Sequence, residues 1–453
     1  MLICGQELVC TIDRLGYMGE GVFRRDGQVG FVHFALPGET VRIVIKKVHK
    51  THVFARLKEI IKPSSDRVMS PCQVFTRCGG CTLQHLAYQE QLRAKQQVVQ
   101  DNLKKIARVN LQVLQPIGLS QPWAYRNKTT WQAGRGPGGL PVLGFYEMKS
   151  HAVVPVDQCL IAMPEANRAA DCITQWMRRC SVMPYNPTNR LGLIRQVVTR
   201  VSPSGEVMVL LAVNGEALPC AHELADMLSS VLPGFHGLAM TSEQISEDDE
   251  DGLPWQILSG NALLTIQLAG IHLRLSPMSF SQVNYRVCEN MYAYVLRQAI
   301  RDSKDTIFDL YSGIGALSLA AAQICRQVIG VELSSHSVED ARKNADINHI
   351  CNARFIQGLA ENKVPLLVQA GKQPDAIILD PPRKGAHPRV LQAILQAEPS
   401  RIVYISCHPA SQARDTAVLI QGGYRTIEAQ PFDMFCQTAQ IENVMTFVRN
   451  DTE

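Results

Sequence analysis

A thiol closes the stretch Ile402-Val403-Tyr404-Ile405-Ser406-Cys407-His408-Pro409. Its apolar and β-branched positions read as a buried strand, and Pro409 ends that strand because proline cannot continue a central ladder. Cys407 therefore stands at a strand's carboxyl end, the edge where open α/β sheets bind ligands, and is a candidate nucleophile. Taken alone, a single cysteine more often packs as a small buried apolar group; the neighbouring motifs reverse that. At an ordinary thiol pKa of about 8.5 only a few per cent is thiolate at neutral pH, so some group must raise that fraction. His408 is adjacent, yet successive side chains of an extended segment point apart, so it is not named as the activator.

The segments before Cys407 supply a cofactor site. Thr306-Ile307-Phe308-Asp309-Leu310-Tyr311 reads as a buried strand running into Ser312-Gly313-Ile314-Gly315, a helix over 316–324 follows, and Val328-Ile329-Gly330-Val331 ends at Glu332. Gly313 and Gly315 let a ligand approach the turn, and an acid at the next strand's end can accept both ribose hydroxyls. No third glycine completes a dinucleotide fingerprint, so an adenosine cofactor without pyrophosphate, S-adenosylmethionine, fits better. A further strand ends in Asp380-Pro381-Pro382-Arg383-Lys384-Gly385. Asp380 would accept hydrogen bonds there. Arg383 stands where enzymes that methylate exocyclic amines carry a stacking aromatic residue, which points to another acceptor atom. With Cys407 on the following strand the acceptor narrows to carbon. C5 of a pyrimidine becomes nucleophilic once a thiolate adds to C6, and a base must then remove the C5 proton. Glu442, in Gln437-Thr438-Ala439-Gln440-Ile441-Glu442-Asn443-Val444, is placed for that.

Cys72, Cys78 and Cys81 form a third group, followed by Thr82-Leu83-Gln84-His85. Two residues between Cys78 and Cys81 let both thiolates face one centre, and Gly79-Gly80 let the backbone wrap close to it. The nearest suitable fourth ligand downstream is Cys159. Four cysteines could hold zinc or an iron–sulfur cluster, and the spacing alone leaves both open.

These groups need scaffolds. A chain of 453 residues with 46% hydrophobic and 19% charged residues is long enough for two to four domains. No apolar run reaches the roughly 18 residues of a membrane span, and the first residues lack signal-peptide character, so no membrane association and a cytoplasmic location are expected. Fourteen cysteines in a reducing compartment argue for metal, cluster or catalytic use of some of them over a disulfide framework. The net charge of +4 is matched by the first 70 residues alone, which hold eleven Lys/Arg against seven Asp/Glu. The acidic run Glu247-Asp248-Asp249-Glu250-Asp251 masks basic surface elsewhere and reads as a solvated loop.

Residues 7–61 alternate short apolar stretches with turn signals, including Asp26-Gly27, as in a small barrel. Lys46, Lys47, Lys50, Arg56 and Lys58, interleaved with His49, His52 and Phe54, form a basic stripe suited to an RNA backbone. Residues 86–106 lack Gly and Pro and place Tyr88, Leu92, Val99, Leu103 and Ile106 at helical spacing. Residues 120–270 read as strand-rich α+β, with Arg126, Lys128, Arg195 and Arg200 available for phosphates. The expected fold is therefore multidomain α/β: residues 1–62 an OB-like β-barrel, 63–273 a central α+β RNA-binding domain with the four-Cys site, whose helix 86–106 packs on the last domain, and 274–453 a Rossmann-like methyltransferase domain.

The N-terminal segment resembles a TRAM domain. Ser406 to Pro409 with Ala413-Arg414-Asp415, Asp380 to Gly385, Phe280-Ser281-Gln282-Val283-Asn284, Gln437-Thr438 with Glu442, and the four cysteines together resemble the RNA uracil-C5 methyltransferase family over nearly the whole chain. The nearer resemblance is to its TRAM-bearing branch that carries a 4Fe-4S cluster and acts on 23S ribosomal RNA. That resemblance implies Cys407 as nucleophile, Glu442 as base, Gln282, Tyr311, Glu332 and Asp380 at S-adenosylmethionine, and Cys72, Cys78, Cys81 and Cys159 as cluster ligands. A monomer is expected. Ala316, Gly358, Cys436 and Gln440 depart from the family's usual Asn, Asn or Asp, Pro and His, which touches two cofactor contacts and the base loop. The alternatives are a transfer RNA enzyme, which typically lacks barrel and cluster; a radical methylthio-transferring enzyme, which should show Cys-x3-Cys-x2-Cys; and a non-catalytic RNA-binding protein with a structural metal.

Overall fold

Strand alternation in the first 62 residues builds the barrel-like sheet. In the computed structural model, which describes residues 2–242, 245 and 254–450, β1 (Glu7–Thr11), β2 (Arg14–Leu15), β3 (Gly21–Arg25), β4 (Gln28–Val32), β5 (Thr40–Val48) and β6 (His52–Lys62) pair in the order β1-β5-β6-β4-β3-β2. Val41, Ile43 and Ile45 of β5 face inward with Phe23, Val32 and Val53, the period-2 pattern of a strand with one buried face. Asp26 and Gly27 both take positive φ, 50° and 76°, which gives the tight β3–β4 hairpin. The acidic run Glu247-Asp248-Asp249-Glu250-Asp251 lies outside the described residues.

After the cysteine segment, α1 (Tyr88–Asn102) runs on into a π-helical turn over Leu103–Ala107 that stops at Arg108, φ 57°. The wider turn shifts the register. Leu103 stays buried, whereas Ile106, expected on the apolar face, is 42% exposed. Val99, Leu103 and Ala107 pack into the core of the C-terminal domain. The middle sheet comprises β7 (Lys128–Arg135), β8 (Pro141–Tyr146), β9 (Val153–Pro155), β10 (Ile194–Val201), β11 (Val207–Val213), β12 (Phe235–Thr241) and β13 (Gln256–Gly260), ordered β13-β12-β11-β10-β7-β8-β9. Helices α2 (Pro164–Arg179) and α3 (Ala221–Val231) cover one face. Val198, Met208, Leu210 and Ala212 on the other face join the C-terminal core.

A hairpin of β14 (Leu264–Leu268) and β15 (Ile271–Leu275) opens the C-terminal unit, and both strands pack into its core. A domain limit at 273 would cut β15. Then follow α4 (Tyr285–Ala299), β16 (Thr306–Leu310), α5 (Ala316–Ala322), β17 (Gln327–Glu332), α6 (Ser335–Ile347), β18 (Ala353–Gln357), α7 (Ala360–Gln369), β19 (Ala376–Leu379), α8 (Pro388–Ala397), β20 (Arg401–Ser406), α9 (Pro409–Gln421), β21 (Tyr424–Phe432) and β22 (Glu442–Arg449). Their sheet order is β18-β17-β16-β19-β20-β22-β21. Side chains alternate between two cores. Ile307, Val328, Ile378 and Val403 meet α4, α5 and α6; Phe308, Ile329, Ile377 and Ile402 meet α7, α8, α9 and α1. A parallel sheet covered on both faces is the doubly wound arrangement.

The winding direction reverses between β16 and β19, both parallel partners in register through Ile307↔Ala376 to Leu310↔Leu379. A crevice opens at the carboxyl ends of strands at such a switch point. β22 runs antiparallel to β20, with Ser406 opposite Asn443. Its first residue, Glu442, is thereby carried to the same sheet edge and to the level of Cys407.

Candidate active site

Four loops meet at this edge. Cys407 follows β20, Asp380 follows β19, Glu332 ends β17 and Glu442 begins β22. Cys407 is half-buried. Burial, then Glu442 and Asp380, push its thiol up to about 12, while the Arg383 guanidinium opposes them through its charge and a hydrogen bond. Glu442 is 4% exposed. Burial and Asp380 lift its carboxyl well above the carboxylate range, again against Arg383. Its Oε2 is buried and has no hydrogen-bond partner within the described residues. Asp380 keeps part of its surface open to the crevice, and burial together with Asp309 pushes its carboxyl up to about 7. Asp309, inside β16, is pushed to about 7 by burial despite its hydrogen bond from Ser318.

Among the described residues Arg383 is thus the cation that acts on both thiol and acid. The sequence reading saw it only as the loss of an aromatic residue; a guanidinium on the loop beside a strand that ends in a thiol was the signal available. His408 is occupied elsewhere. Its side chain caps α9, with Nδ1 accepting the Ser411 amide at 3.2 Å. The segment 383–386 is tied to α9: Ser411 Oγ donates to the Arg383 carbonyl at 3.0 Å, Arg414 donates to the Lys384 carbonyl at 2.9 Å, and the Ala386 amide donates to Asp415 Oδ2 at 2.9 Å. Tyr404 of β20 donates to the same Asp415 oxygen at 2.7 Å. Arg414 and Asp415 therefore fix the loop that carries Arg383 relative to Cys407.

On the cofactor side, Glu332 Oε2 accepts the Gly313 amide at 2.9 Å and Oε1 accepts the Ser334 amide at 2.9 Å. Tyr311 adopts a left-handed backbone, φ 68°, where β16 turns into the loop, and Gly315 precedes α5. No atom lies within 4 Å of where a side chain on Gly313 would begin, so the turn has room for a ligand. Gln282 is 7% exposed and is held by Asn127, whose Nδ2 donates to its carbonyl at 2.9 Å. Gly358 donates its amide to the Glu332 carbonyl at 2.8 Å, and Ala316 is the first residue of α5. At Gly358, one of the two departures from the family pattern, the chain's own backbone thus braces Glu332.

The four cysteines converge. Cys78 and Cys81 each feel the charges of Cys72 and Cys159, and burial is the first cause that lifts both thiols. Cys78 Sγ accepts the Gly80 amide at 3.4 Å, and the amides of Ile161 and Ala162 serve Cys159. Four converging thiols with amide donors beside them could hold zinc or an iron–sulfur cluster. Past Cys81, the amides of Thr82 and Leu83 both donate to the Gln437 carbonyl, at 3.1 and 3.0 Å. The cysteine loop therefore braces the loop that leads to Glu442. A second thiol group that sequence spacing did not single out, Cys180, Cys220 and Glu223, lies within 4.8 Å, but its carboxylate is already paired with Arg179 at 2.5 Å.

On the barrel, Lys46, Lys47, Lys50 and Arg56 are exposed. His49 stacks on His52 at 4.6 Å, and Lys149 of the middle unit sits 5.2 Å over the Phe54 ring. Lys58 is committed to Glu7 at 2.7 Å. Two of the expected phosphate ligands of the middle unit are engaged within the fold. Arg200 is 1% exposed and donates to Ser281 Oγ at 2.8 Å and to the Ser279 carbonyl. Arg195 stacks on Tyr185 at 3.8 Å and donates to Asn214 at 2.6 Å. Both hold the chain together because β10 places them against neighbouring segments.

The sheet order, the glycine turn facing an acid, and the thiol at the crevice define a Rossmann-like S-adenosylmethionine-dependent methyltransferase with an N-terminal TRAM domain. The family described as tRNA (Uracil-5-)-methyltransferase matches residues 261–450 and the TRAM domain matches 4–58. An uncharacterized RNA methyltransferase of Caldanaerobacter subterraneus is 38% identical, covering 97% of each chain. One from Halalkalibacterium halodurans is 37% identical over 96% of this chain and 95% of its own. The solved structure of Pyrococcus abyssi tRNA (uracil-54, C5)-methyltransferase in complex with S-adenosyl-L-homocysteine superposes with TM-score 0.76 at 25% identity, over 97% of this chain and all of that one. The chain belongs to the RNA (uracil-5-)-methyltransferase family. Among the described residues no helix is long and apolar enough to cross a membrane.

Proposed function

We propose that this enzyme methylates C5 of a uridine in folded 23S ribosomal RNA, acting as a cytoplasmic monomer. The observation that carries the reaction is the meeting of Cys407, Glu442 and Asp380 at one sheet edge with Arg383 acting on the thiol. S-adenosylmethionine supplies an electrophilic sulfonium methyl; the turn 311–315, Glu332, Gln282 and Asp380 would hold it. Cys407 adds to C6, and C5 then takes that methyl. Glu442 removes the C5 proton, and the thiolate leaves as the ring regains its double bond. A thiol near 12 is almost wholly protonated at neutral pH, so its proton must pass to a neighbouring base or to water as C6 is attacked, with Arg383 beside the sulfur to favour the thiolate. Extruding the uridine costs on the order of a few kcal/mol, which backbone contacts along the barrel offset.

Cys72, Cys78, Cys81 and Cys159 would hold a 4Fe-4S cluster, whose contribution is to fold the 72–83 segment against the base loop. What supports ribosomal RNA is the resemblance of the four-Cys segment to the cluster-bearing 23S branch. The presence of barrel and cysteine segment does not by itself separate the two substrates, since the likeness to the Pyrococcus abyssi tRNA (uracil-54, C5)-methyltransferase extends over 97% of this chain; that observation favours transfer RNA as the second reading.

Incubation with S-adenosylmethionine and 5-fluorouridine-substituted RNA distinguishes them. Fluorine cannot leave as a proton, so a methylated covalent adduct accumulates, and Cys407→Ala forms none. Adduct on 23S fragments but not on transfer RNA supports the first reading, and the reverse supports the second. Adduct with neither overturns the mechanism. For the cluster, metal analysis after anaerobic purification should find iron that is lost in Cys78→Ser; zinc without iron sinks that assignment.

A further inference from the structure

The turn between β2 and β3 of the barrel, Gly16-Tyr17-Met18-Gly19-Glu20, does not face solvent as a plain hairpin would. It is folded on itself, with the Gly16 amide donating to the Glu20 carbonyl at 2.7 Å, the Gly19 amide to the Gly16 carbonyl at 3.1 Å and the Met18 amide to Glu20 Oε2 at 3.1 Å. Gly19, at φ +83°, is pressed against the base loop and the cysteine loop. A Cβ there would lie 3.2 Å from Ala439 Cβ, 3.2 Å from Leu83 Cδ2 and 3.3 Å from Thr82 Oγ1. Beneath it, Leu15 and Leu36 of the barrel form one apolar cluster with Leu83 and Leu86. Barrel tip, cysteine loop and base loop thus meet at one point.

That docking delivers Tyr17 to the catalytic edge. Its ring packs edge-on against the His408 ring, centroids 5.2 Å apart, and His408 directly follows Cys407. The phenol is close enough to Cys407, Arg383 and Glu442 to feel all three charges; burial first, then Cys407 and Glu442, push it up to about 12 while Arg383 opposes them. It is therefore a neutral donor at working pH. Tyr17 keeps part of its surface open and Met18 beside it is 52% exposed. A half-buried aromatic ring beside the thiol that must meet a flat pyrimidine is suited to stack on it.

We propose that Tyr17 is a positioning residue for the methyl transfer, forming the barrel's share of the pocket wall and holding the extruded uridine, through its π-face, over Cys407. This rests on the reading of the chain as a uridine-C5 methyltransferase. The barrel is then part of the active site as well as a tether for RNA, because the same rigid unit carries the basic stripe on β5 and β6 and the aromatic wall on the β2–β3 turn.

The test is single-turnover adduct formation on 5-fluorouridine-substituted RNA at saturating full-length protein, beside equilibrium RNA binding and thermal unfolding, for wild type, Tyr17→Ala, Tyr17→Phe and Lys46→Ala/Lys47→Ala. Loss of one aromatic–base stack should slow the adduct rate of Tyr17→Ala about tenfold or more. Its RNA affinity should change less than about threefold and its unfolding temperature stay near wild type. Tyr17→Phe should keep the rate, since the π-face remains. The double lysine variant serves as the binding control and should weaken RNA affinity in a salt-dependent way. A Tyr17→Ala rate equal to wild type at saturation overturns the proposal alone. So does a loss of rate matched by Tyr17→Phe, or one that follows a lowered unfolding temperature. If wild type itself forms no adduct with any RNA, the uridine-C5 reading fails first and takes this inference with it.

Discussion

Replacing Glu442 by glutamine keeps the side chain's shape and removes its charge, and the surroundings of Glu442 give that change three signs. First, the base is lost. A positioned general base contributes about 10²–10⁴ to rate, and steady-state methylation should fall by that factor. Addition of Cys407 and methyl transfer precede proton removal, so a methylated covalent adduct should accumulate on ordinary, unfluorinated RNA and appear as a slow band on a denaturing gel. Second, Glu442 is among the groups that push the Cys407 thiol up. Its removal should speed alkylation of Cys407, followed peptide by peptide by mass spectrometry because fourteen cysteines compete. Third, stability should not suffer at neutral pH. A carboxyl raised well above its ordinary value by burial and Asp380 binds its proton more tightly folded than unfolded. Its cost is absent below the unfolded pKa of about 4.3 and grows as pH rises toward the folded value. Glu442→Gln should therefore match wild type in unfolding temperature near pH 4 and equal or exceed it near pH 8. Turnover within about threefold of wild type, or no adduct from a variant that binds RNA and unfolds normally, would show that Glu442 is not the base.

Three further outcomes follow from named contacts. Arg383→Ala removes a charge-assisted hydrogen bond worth about 1.5–3 kcal/mol from the Cys407 thiol; Cys407 alkylation at fixed pH should slow by about ten- to a hundredfold, and no change would remove Arg383 as its activator. Lys95→Ala leaves Asp433 buried without the ammonium that pairs with it, both side chains at most 1% exposed, and should cost about 3–5 kcal/mol in denaturant unfolding, against under about 1 kcal/mol if the pair is dispensable. Asp309 and Asp380, both held near 7 and about 3.9 when unfolded, bind more protons folded than unfolded between those values. Stability should decline from about pH 4 to 7, and Asp309→Asn should flatten that decline; an unaltered profile would contradict the burial of Asp309 as a charge.

The helix from Tyr88 shows where sequence patterning stops being informative. Leu92, Val99 and Leu103 were legible at helical spacing, and they are buried. The face that positions the base loop is polar. Gln91 Nε2 donates to Gln437 Oε1 at 3.0 Å, Tyr88 donates to Asp433 Oδ2 at 2.7 Å and Lys95 pairs with Asp433. Hydrophobic periodicity places Tyr88 but reads Gln91 and Lys95 as solvent-facing, because it scores burial by apolar character and cannot see a polar partner far along the chain. Arg200 misled in the same way: an arginine on a strand looked like a phosphate ligand until the strand's neighbours enclosed it.

Local chemistry and backbone rules are written in the chain itself. Strand alternation, the glycine turn before Glu332, the proline that stops β20 behind Cys407, and the cysteine spacing each depend on residues only a few positions apart, so type and order suffice to read them. Which groups share a site depends on pairings over long separations, and those are settled by packing. The antiparallel insertion of β22 beside β20 lifts Glu442 to the level of Cys407. The loop ties from Arg414 and Asp415 aim Arg383 at the thiol. The docking of the barrel's β2–β3 turn brings Tyr17 beside His408. A thiol's ionisation is a property of what surrounds it in space, and for Cys407 those surroundings come from four separate stretches that only the folded chain assembles.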